Sequence, residues 1–95
     1  MKRVRFSALA LADLEDIAAY ISHDSDEVAA RVISRIEGVC FSLRVFPEMG
    51  VLSEVPGARK LLVPGLPYKV IYEIAEETDG VVILRVYHSA QNTQI

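Results

Sequence analysis

The sequence predicts an α+β domain with the element order β-α-α-β-β-β, in which a helical hairpin covers one face of a small, mostly antiparallel sheet. Two segments near the N-terminus carry apolar residues at helical spacing, and runs rich in Val, Ile and Tyr follow in the last third of the chain. Two of those runs flank an Asp-Gly pair at 79–80, which is the strongest short-range signal of a β-hairpin.

The first two elements are predicted to be a strand and a helix. Residues 2–6 alternate polar and apolar side chains, as a short half-buried strand would. Ser7 is suited to cap a helix over 8–22, in which apolar residues recur at spacings of three and four. The members of this apolar stripe are Leu11, Leu14, Ile17, Ala18 and Ile21. The stripe is expected to face the interior.

A second helix is predicted from the pair Asp24 and Glu27, whose spacing is that of a capping box. Its inward face is expected to consist of Val28, Val32, Ile36, Val39 and Leu43, with Ala29, Ile33 and Cys40 beside them. Phe46-Pro47 and Gly50 are expected to end it, because a proline disfavours helical geometry in its predecessor. Only a few residues separate the two helices, which favours an antiparallel hairpin.

The rest of the chain is predicted to be a loop and three strands. Residues 47–57 contain two prolines and two glycines, and strands are expected at 58–63, 67–75 and 81–88. Strict alternation places Tyr68, Val70, Tyr72 and Ile74 on one face of the middle strand, with Tyr68 and Tyr72 as packing residues. In the last strand, alternation places Val82, Leu84, Val86 and His88 on one face. The opposite face then carries Val81, Ile83, Arg85 and Tyr87. Asp79-Gly80 predicts a type I′ turn, in which both residues have positive φ.

Composition restricts the class of protein. A length of 95 residues suits a single domain, and 52% hydrophobic residues excludes a disordered chain. No apolar run approaches the roughly 20 residues that a membrane helix needs. The one cysteine, Cys40, cannot form an internal disulfide and lies in the apolar pattern of a helix, so we expect a buried hydrophobic residue in a reducing compartment. We therefore expect a cytoplasmic protein.

The net charge of −3, from 10 Lys and Arg against 13 Asp and Glu, bears on function. Proteins that bind nucleic acid through its phosphates are usually basic, since their affinity comes from released counterions. This chain is therefore not a strongly basic binding domain. Bases do cluster at 2–5, 31–44 and 59–69, so a local basic patch remains compatible with the sequence.

Three segments, in their order and spacing, carry a family resemblance. They are FSALALADLEDIAAYI at 6–21, R-x-F-P-E-M-G at 44–50, and the stretch from Arg59 through YKVIY at 68–72 to RVYHSAQN at 85–92. Together they resemble the RelE/ParE superfamily of bacterial type II toxins over almost the whole length. The resemblance implies a growth-arresting toxin neutralised by a cognate antitoxin of the ParD or RelB kind. That antitoxin would be encoded beside it, wrap a disordered segment around it, and alone bind operator DNA.

Members of this superfamily differ in their target. RelE-like and YoeB-like toxins cut messenger RNA in the ribosomal A site, whereas ParE-like toxins are reported to inhibit DNA gyrase. The helix signature, the F-P-E-M-G loop and the acidic balance of this chain resemble the ParE branch. His88, however, stands where YoeB-like enzymes carry a C-terminal histidine, and Arg59 and Arg85 stand where basic residues recur in both branches. The nuclease alternative therefore stays open, as does a remnant that binds antitoxin but is not toxic.

Candidate site residues follow from these alternatives. In a metal-free nuclease, His88 would be acid or base, Arg59 and Arg85 would hold phosphate, and Tyr87 would stack on a base. In a toxin that acts by binding, the target surface would be Arg59, Lys60, Lys69 and Arg85. The antitoxin is expected on Leu11, Leu14, Arg31 and Arg35. No metal or other cofactor is expected, because the two histidines and the cysteine lie far apart.

The expected geometry limits the nuclease alternative. By strict alternation His88 shares a face with Leu84 and Val86, whereas Arg85 and Tyr87 point the other way. These side chains converge only if the strand ends or bulges near residue 87. Otherwise His88 is a structural or interface histidine at the end of a strand.

Overall fold

The helices and strands occur in the predicted order, with one additional strand in the segment expected to be a loop. The structure is a computed structural model that describes residues 1–90. Its elements are β1 Arg3–Phe6, α1 Ala8–Ser22, α2 Asp26–Ser42, β2 Val51–Leu52, β3 Arg59–Leu62, β4 Tyr68–Ala75 and β5 Gly80–His88. Gln91 and Asn92, which end the third resemblance segment, lie outside the described residues.

The strands form one mixed sheet in the order β1-β5-β4-β3-β2. β1 pairs with β5 in parallel, from Arg3 opposite Gly80 to Phe6 opposite Ile83, and every other pairing is antiparallel. The α+β prediction of a helical hairpin on a mostly antiparallel sheet is therefore confirmed. The added strand β2 was missed because only two residues, Val51 and Leu52, pair with β3.

The main core lies between the helical hairpin and the sheet face that it covers, which we call the helix-side face. Its fully buried side chains include Ile36 and Cys40 of α2, Tyr72 of β4 and Ile83 of β5. A smaller cluster lies on the opposite, outer face, where Ala58, Ile71 and Tyr87 pack with Val55 and Leu84. The sheet is thus apolar on both faces at its centre, because the loop before β3 covers part of the outer face.

Cys40 is buried in the main core, as expected. Burial disfavours the thiolate and raises the pKa of Cys40 to about 12. Since the thiolate is the reactive form, this cysteine is an inert packing residue.

The predicted N-terminal cap residue is correct for α1 and wrong for α2. Ser7 caps α1, and its hydroxyl accepts a hydrogen bond from the Ala10 amide. The cap of α2 is Ser25, whose hydroxyl accepts from the Val28 amide, so the prediction of Asp24 was wrong by one residue. Val28, in the first turn of α2, is 38% exposed, so the expectation that it faces inward was wrong.

The β4–β5 hairpin is confirmed, but the predicted type I′ turn is wrong. Ala75 pairs with Gly80, which leaves residues 76–79 in the connection instead of two. A 3₁₀ turn at Glu76–Thr78 begins this connection, and only Asp79 adopts positive φ, at 51°. Asp79 can occupy this region because its short polar side chain tolerates left-handed geometry.

Within residues 1–90, no helix is both long and apolar enough to cross a membrane.

Candidate functional site at the end of β5

A β-bulge at Leu84 determines which way the last residues of the sheet point. Tyr72 pairs with Ile83 and Ile71 pairs with Arg85, so Leu84 has no partner on β4. Strict alternation therefore gave the wrong faces for half of β5. Val81, Ile83 and Val86 all contribute to the helix-side core, whereas Leu84 and Tyr87 pack on the outer face.

Helix α1 supplies the hydrogen bonds that this irregular part of β5 lacks. β1 pairs with β5 only as far as Ile83. Beyond that point, the Ser7 hydroxyl donates to the Leu84 carbonyl over 2.8 Å, and the Val86 amide donates to the Asp13 carboxylate over 2.9 Å. The first half of α1 thus takes the place of a neighbouring strand for residues 84–86, whereas Tyr87 and His88 pair with β4.

Arg85 forms a bidentate ion pair with Asp13 of α1. Its Nε lies 2.8 Å from Asp13 Oδ2 and its Nη2 lies 2.9 Å from Oδ1. The two side chains are 22% and 13% exposed, and the guanidinium also stacks 4.7 Å from the centre of the Tyr87 ring. The hydrogen bond to Asp13 is the main reason that the pKa of Arg85 is raised above its ordinary value. The positive charge of Arg85 is therefore neutralised within the protein.

Asp13 is the site residue that sequence reasoning missed. It is one of three acids in the first helix, with Glu15 and Asp16, and 72 residues separate it from Arg85. No local spacing rule connects two positions so far apart. The bulge and the docking of α1 bring them together.

Arg59, the second candidate for phosphate binding, makes a hydrogen bond within the protein. Its Nη1 donates to the Gly50 carbonyl over 2.8 Å. The Tyr72 hydroxyl accepts from the Gly50 amide over 2.9 Å and donates to the Pro47 carbonyl over 2.6 Å. These three bonds hold the F-P-E-M-G loop against the sheet. Tyr72 is fully buried, which confirms its expected packing role.

His88 ends β5 and is exposed. Its ring stands edge-on to the ring of Tyr68, with the centroids 5.7 Å apart, and Tyr68 is buried as expected. The Nδ1 atom accepts a hydrogen bond from the Ala90 amide over 3.2 Å. This bond ties the exposed ring to the backbone at the end of the strand.

A groove of about 660 Å³ lies between α1 and the ends of β4 and β5; we call it the α1–β5 groove. Its lining consists of Asp13, Asp16, Ile17, Tyr20, Pro67, Tyr68, Arg85, Val86, Tyr87 and His88. Three of the four nuclease candidates thus border one groove, because the strand ends there. Arg59 is not among the lining residues.

The two candidate lysines have partners on or near the outer face. Lys60 forms a 2.8 Å ion pair with Glu54, and the hydrogen bond from Lys60 is the main reason that the pKa of Glu54 is lowered. The ammonium of Lys69 lies 6.0 Å from the centre of the Tyr87 ring.

Among residues 1–90, no three metal-ligating side chains come together as a candidate metal site.

The four residues expected to bind antitoxin do not share one environment. Leu14 is only 7% exposed and packs in the main core, so little of its side chain is accessible to a partner. Leu11 is 50% exposed and Arg31 is on the surface. Arg35 is also exposed, and its Nη2 donates to the Pro64 carbonyl. The helical period predicted a stripe on α1 but not which edge of it faces the sheet.

Comparison with known sequences identifies the family. Residues 4–93 match the model of the ParE toxin of the type II toxin–antitoxin system parDE. The chain is 34% identical to toxin Y4kP of Sinorhizobium fredii over 90 residues, which cover 95% of this chain and 91% of that protein. It is 36% identical to toxin RelE2 of Caulobacter vibrioides over 92 residues, covering 96% and 99% of the two chains.

Solved structures of related systems have the same fold. A chain of the chromosomal ParDE system of P. aeruginosa superposes with a TM-score of 0.80 at 25% identity, over 93% of this chain and 96% of that one. A chain of the RelBE2 toxin–antitoxin complex of Mycobacterium tuberculosis gives a TM-score of 0.66 at 25% identity, over 92% and 96%. With the family model covering almost all of its length, this chain belongs to the ParE toxin family of type II toxin–antitoxin systems.

Proposed function

We propose that this toxin arrests growth by binding its target, that the target is DNA gyrase, and that a cognate antitoxin neutralises it. The observation that carries the proposal is the ion pair between Arg85 and Asp13. Cleavage of RNA without a metal requires cations that stabilise charge on the scissile phosphate. A guanidinium already bonded to a carboxylate on two of its nitrogens is poorly suited to that task.

The other nuclease candidates support the same conclusion. Arg59 donates to the Gly50 carbonyl on the edge of the sheet away from the α1–β5 groove. His88 therefore borders the groove together with Arg85, whose charge is neutralised. Arg59 does not border this groove. Membership of the ParE family and the acidic balance of the chain support gyrase as the target.

An antitoxin partner follows from the related systems. The relatives of known structure include the ParDE system of P. aeruginosa and the RelBE2 complex of M. tuberculosis, both toxin–antitoxin pairs. In this proposal the antitoxin of the present toxin is of the ParD or RelB kind, is encoded beside it, and contacts operator DNA through its own domain. Exposed apolar residues such as Leu11 and Tyr20 are available on α1 for such a partner.

Two assays test the target directly. Purified toxin is expected to block supercoiling by DNA gyrase in the absence of ribosomes, and its expression is expected to cause filamentation and a DNA-damage response. The same preparation is expected to leave messenger RNA intact on translating ribosomes. Cleavage on ribosomes with no effect on supercoiling would refute the gyrase proposal. Inactivity in both assays, with the antitoxin still bound, would indicate a non-toxic remnant.

A ribosome-dependent nuclease is the second candidate, favoured by the convergence of His88, Arg85 and Tyr87 on one groove. The variant His88→Ala separates it from the first. A positioned acid or base contributes roughly 10²–10⁴-fold to rate, so a nuclease would lose most of its activity. We expect His88→Ala to remain as toxic as the parent, measured by growth arrest on induced expression. His23→Ala, at the exposed C-terminal end of α1, is the matched control.

A further inference from the structure

Helix α1 forms one wall of the α1–β5 groove with residues at helical spacing. These residues are Asp13, Asp16, Ile17 and Tyr20, which lie three, one and three positions apart and so share one face of the helix. Asp13 is paired with Arg85. Asp16 and Tyr20 are both exposed, Tyr20 to 82%. This wall therefore also presents an exposed carboxylate and an exposed aromatic ring one helical turn apart.

The buried end of the same groove shows which ligand a carboxylate and a tyrosine can hold together. Arg85 bonds to both oxygens of Asp13 while its guanidinium stacks 4.7 Å from the centre of the Tyr87 ring. A guanidinium can do both at once, because its N–H groups lie in a plane whose faces remain open to a ring. Asp16 and Tyr20 repeat this combination. In the part of the chain that the structure describes, no cation pairs with Asp16.

The charge of the groove favours a cation as its ligand. Besides the imidazole of His88, the charged lining consists of two carboxylates and one guanidinium. The pairing of Asp13 with Arg85 leaves the charge of Asp16 unbalanced. Among the described residues, no lysine and no second arginine lines the groove. The carboxylate of Asp16 would repel a phosphate, whereas a guanidinium would be attracted both to this carboxylate and to the face of the Tyr20 ring.

The volume of the groove suits a side chain that arrives with its backbone. The pKa of Tyr68, at the end of β4, is raised by burial and, second, by the nearby Tyr20. Tyr20 therefore lies beside the sheet end of the groove and not apart from it. The volume of about 660 Å³ is much larger than a single guanidinium and falls within the roughly 300–1,000 Å³ of ligand sites. A segment of a protein partner fits this space better than a free ion.

We propose that the α1–β5 groove binds an arginine on the surface of the toxin's target protein, whose guanidinium pairs with Asp16 and stacks on Tyr20. The inference rests on the proposed function, because a toxin that acts by binding must offer its target a surface. The groove is a suitable place for it, since the candidate site residues converge there. Arginine is also among the residues that contribute most to binding at protein interfaces. The antitoxin is the competing occupant, and the experiments below separate the two.

Blocked amino acids test the chemistry of the groove without any protein partner. The probe is N-acetyl-arginine amide, titrated into isotopically labelled full-length toxin and followed by NMR. Saturable amide shifts are expected at Asp16, Tyr20 and Tyr68. N-acetyl-citrulline amide has nearly the same shape without the charge and should bind at least tenfold more weakly. Equal binding of the two compounds, or the absence of saturable shifts at these residues, would overturn the proposal.

Variants of the two exposed residues test the groove against the proposed target. Asp16→Arg and Tyr20→Ala are each expected to raise at least tenfold the toxin concentration that half-inhibits supercoiling by purified gyrase. The first places like charges together, and the second removes the ring. Glu15→Arg is the matched control, because Glu15 is an exposed acid on the same helix and does not line the groove. Urea unfolding of all three variants should match the parent, which excludes misfolding as the cause of a loss.

The remaining outcomes separate this inference from the proposed function. Inhibition that Asp16→Arg and Glu15→Arg reduce equally would indicate a general effect of charge and refute the groove. Inhibition unchanged in Asp16→Arg and Tyr20→Ala would refute it too, while leaving gyrase as the target. A loss of antitoxin affinity in these two variants, with inhibition unchanged, would assign the groove to the antitoxin instead. A parent toxin that does not inhibit gyrase would contradict the proposed function and the named target together, and the arginine titration would still decide the chemistry of the groove.

Discussion

At the scale of single residues, Gly50 explains why the F-P-E-M-G loop has its sequence. A Cβ atom at this position would lie 2.7 Å from the Lys60 carbonyl oxygen and 2.8 Å from the Tyr72 ring and hydroxyl. The backbone therefore approaches the sheet more closely than any side chain allows. Tyr72 and Arg59 then bond to the amide and the carbonyl of Gly50. The motif that suggested the family is, in this structure, a packing and hydrogen-bonding unit.

Removal of the Tyr72 hydroxyl should destabilise the protein. In Tyr72→Phe the buried Gly50 amide loses its acceptor and the Pro47 carbonyl its donor, and an unsatisfied buried group costs about 1–3 kcal/mol. Urea unfolding should show a decrease in the free energy of unfolding within that range. Tyr20→Phe is the control, since Tyr20 is 82% exposed and should change stability by less than about 0.5 kcal/mol. Equal stability of the two variants would contradict this role of Tyr72.

Cys40 should make the stability fall at high pH. Its pKa is raised to about 12 in the folded protein, against about 8.5 for an exposed thiol. Below the lower value the thiol is protonated in both the folded and the unfolded protein, so its titration does not reduce the free energy of unfolding. Above that value the unfolded chain loses the proton first. Stability should therefore decline by up to about 1.4 kcal/mol per pH unit between roughly pH 9 and 12. Unfolding curves at pH 8 and 10.5 should show a smaller loss in Cys40→Ala than in the parent, and equal losses would refute the attribution.

At the scale of elements, the most consequential contact joins α1 to the bulged part of β5. A β-bulge leaves one residue unpaired and interrupts the ladder, so its backbone groups need other partners. Here Ser7 and Asp13, at the cap and in the second turn of one helix, provide them. The helix can do so because β1 ends at Phe6 and leads directly into α1. A helix from the other end of the chain thus satisfies the backbone groups of the bulged part of β5.

Asp13→Asn should show how much this contact contributes. The substitution removes a charged acceptor of three hydrogen bonds, from Arg85 Nε and Nη2 and from the Val86 amide. Hydrogen bonds to charged groups contribute about 1.5–3 kcal/mol each at most, so we expect a loss of roughly 2 kcal/mol in urea unfolding. Asp16→Asn, on the same helix and exposed, should be nearly neutral. Similar effects of the two variants would show that the ion pair adds nothing beyond surface charge.

At the scale of the whole molecule, an antitoxin should act as a stabilising ligand. A partner that binds only the folded toxin adds about 2.7 kcal/mol at a concentration one hundred times its Kd. For a domain of this size, each kcal/mol raises Tm by roughly 4–8 °C, so saturation should raise Tm by roughly 10–20 °C. Calorimetry of toxin with increasing antitoxin tests this expectation. A Tm independent of antitoxin concentration would contradict a direct and tight partnership.

The sequence by itself determined the order of the elements apart from β2, the bounds of α1, the hairpin and the burial of Cys40, Tyr68 and Tyr72. These depend on local signals, namely the helical period of 8–22, the alternation along β4 and the cap at Ser7, which act within a few residues. It also carried the family resemblance, because that depends on the order of motifs along the chain.

Only the tertiary structure decided what the candidate site contains. The bulge at Leu84 inserts one residue, and a single insertion reverses every later face assignment in a strand of period two. The pairing of Asp13 with Arg85, and of Arg59 with Gly50, arises only once helix, bulge and loop are packed together. A one-dimensional pattern records which residues are charged, but their partners depend on distances that exist only in the folded chain.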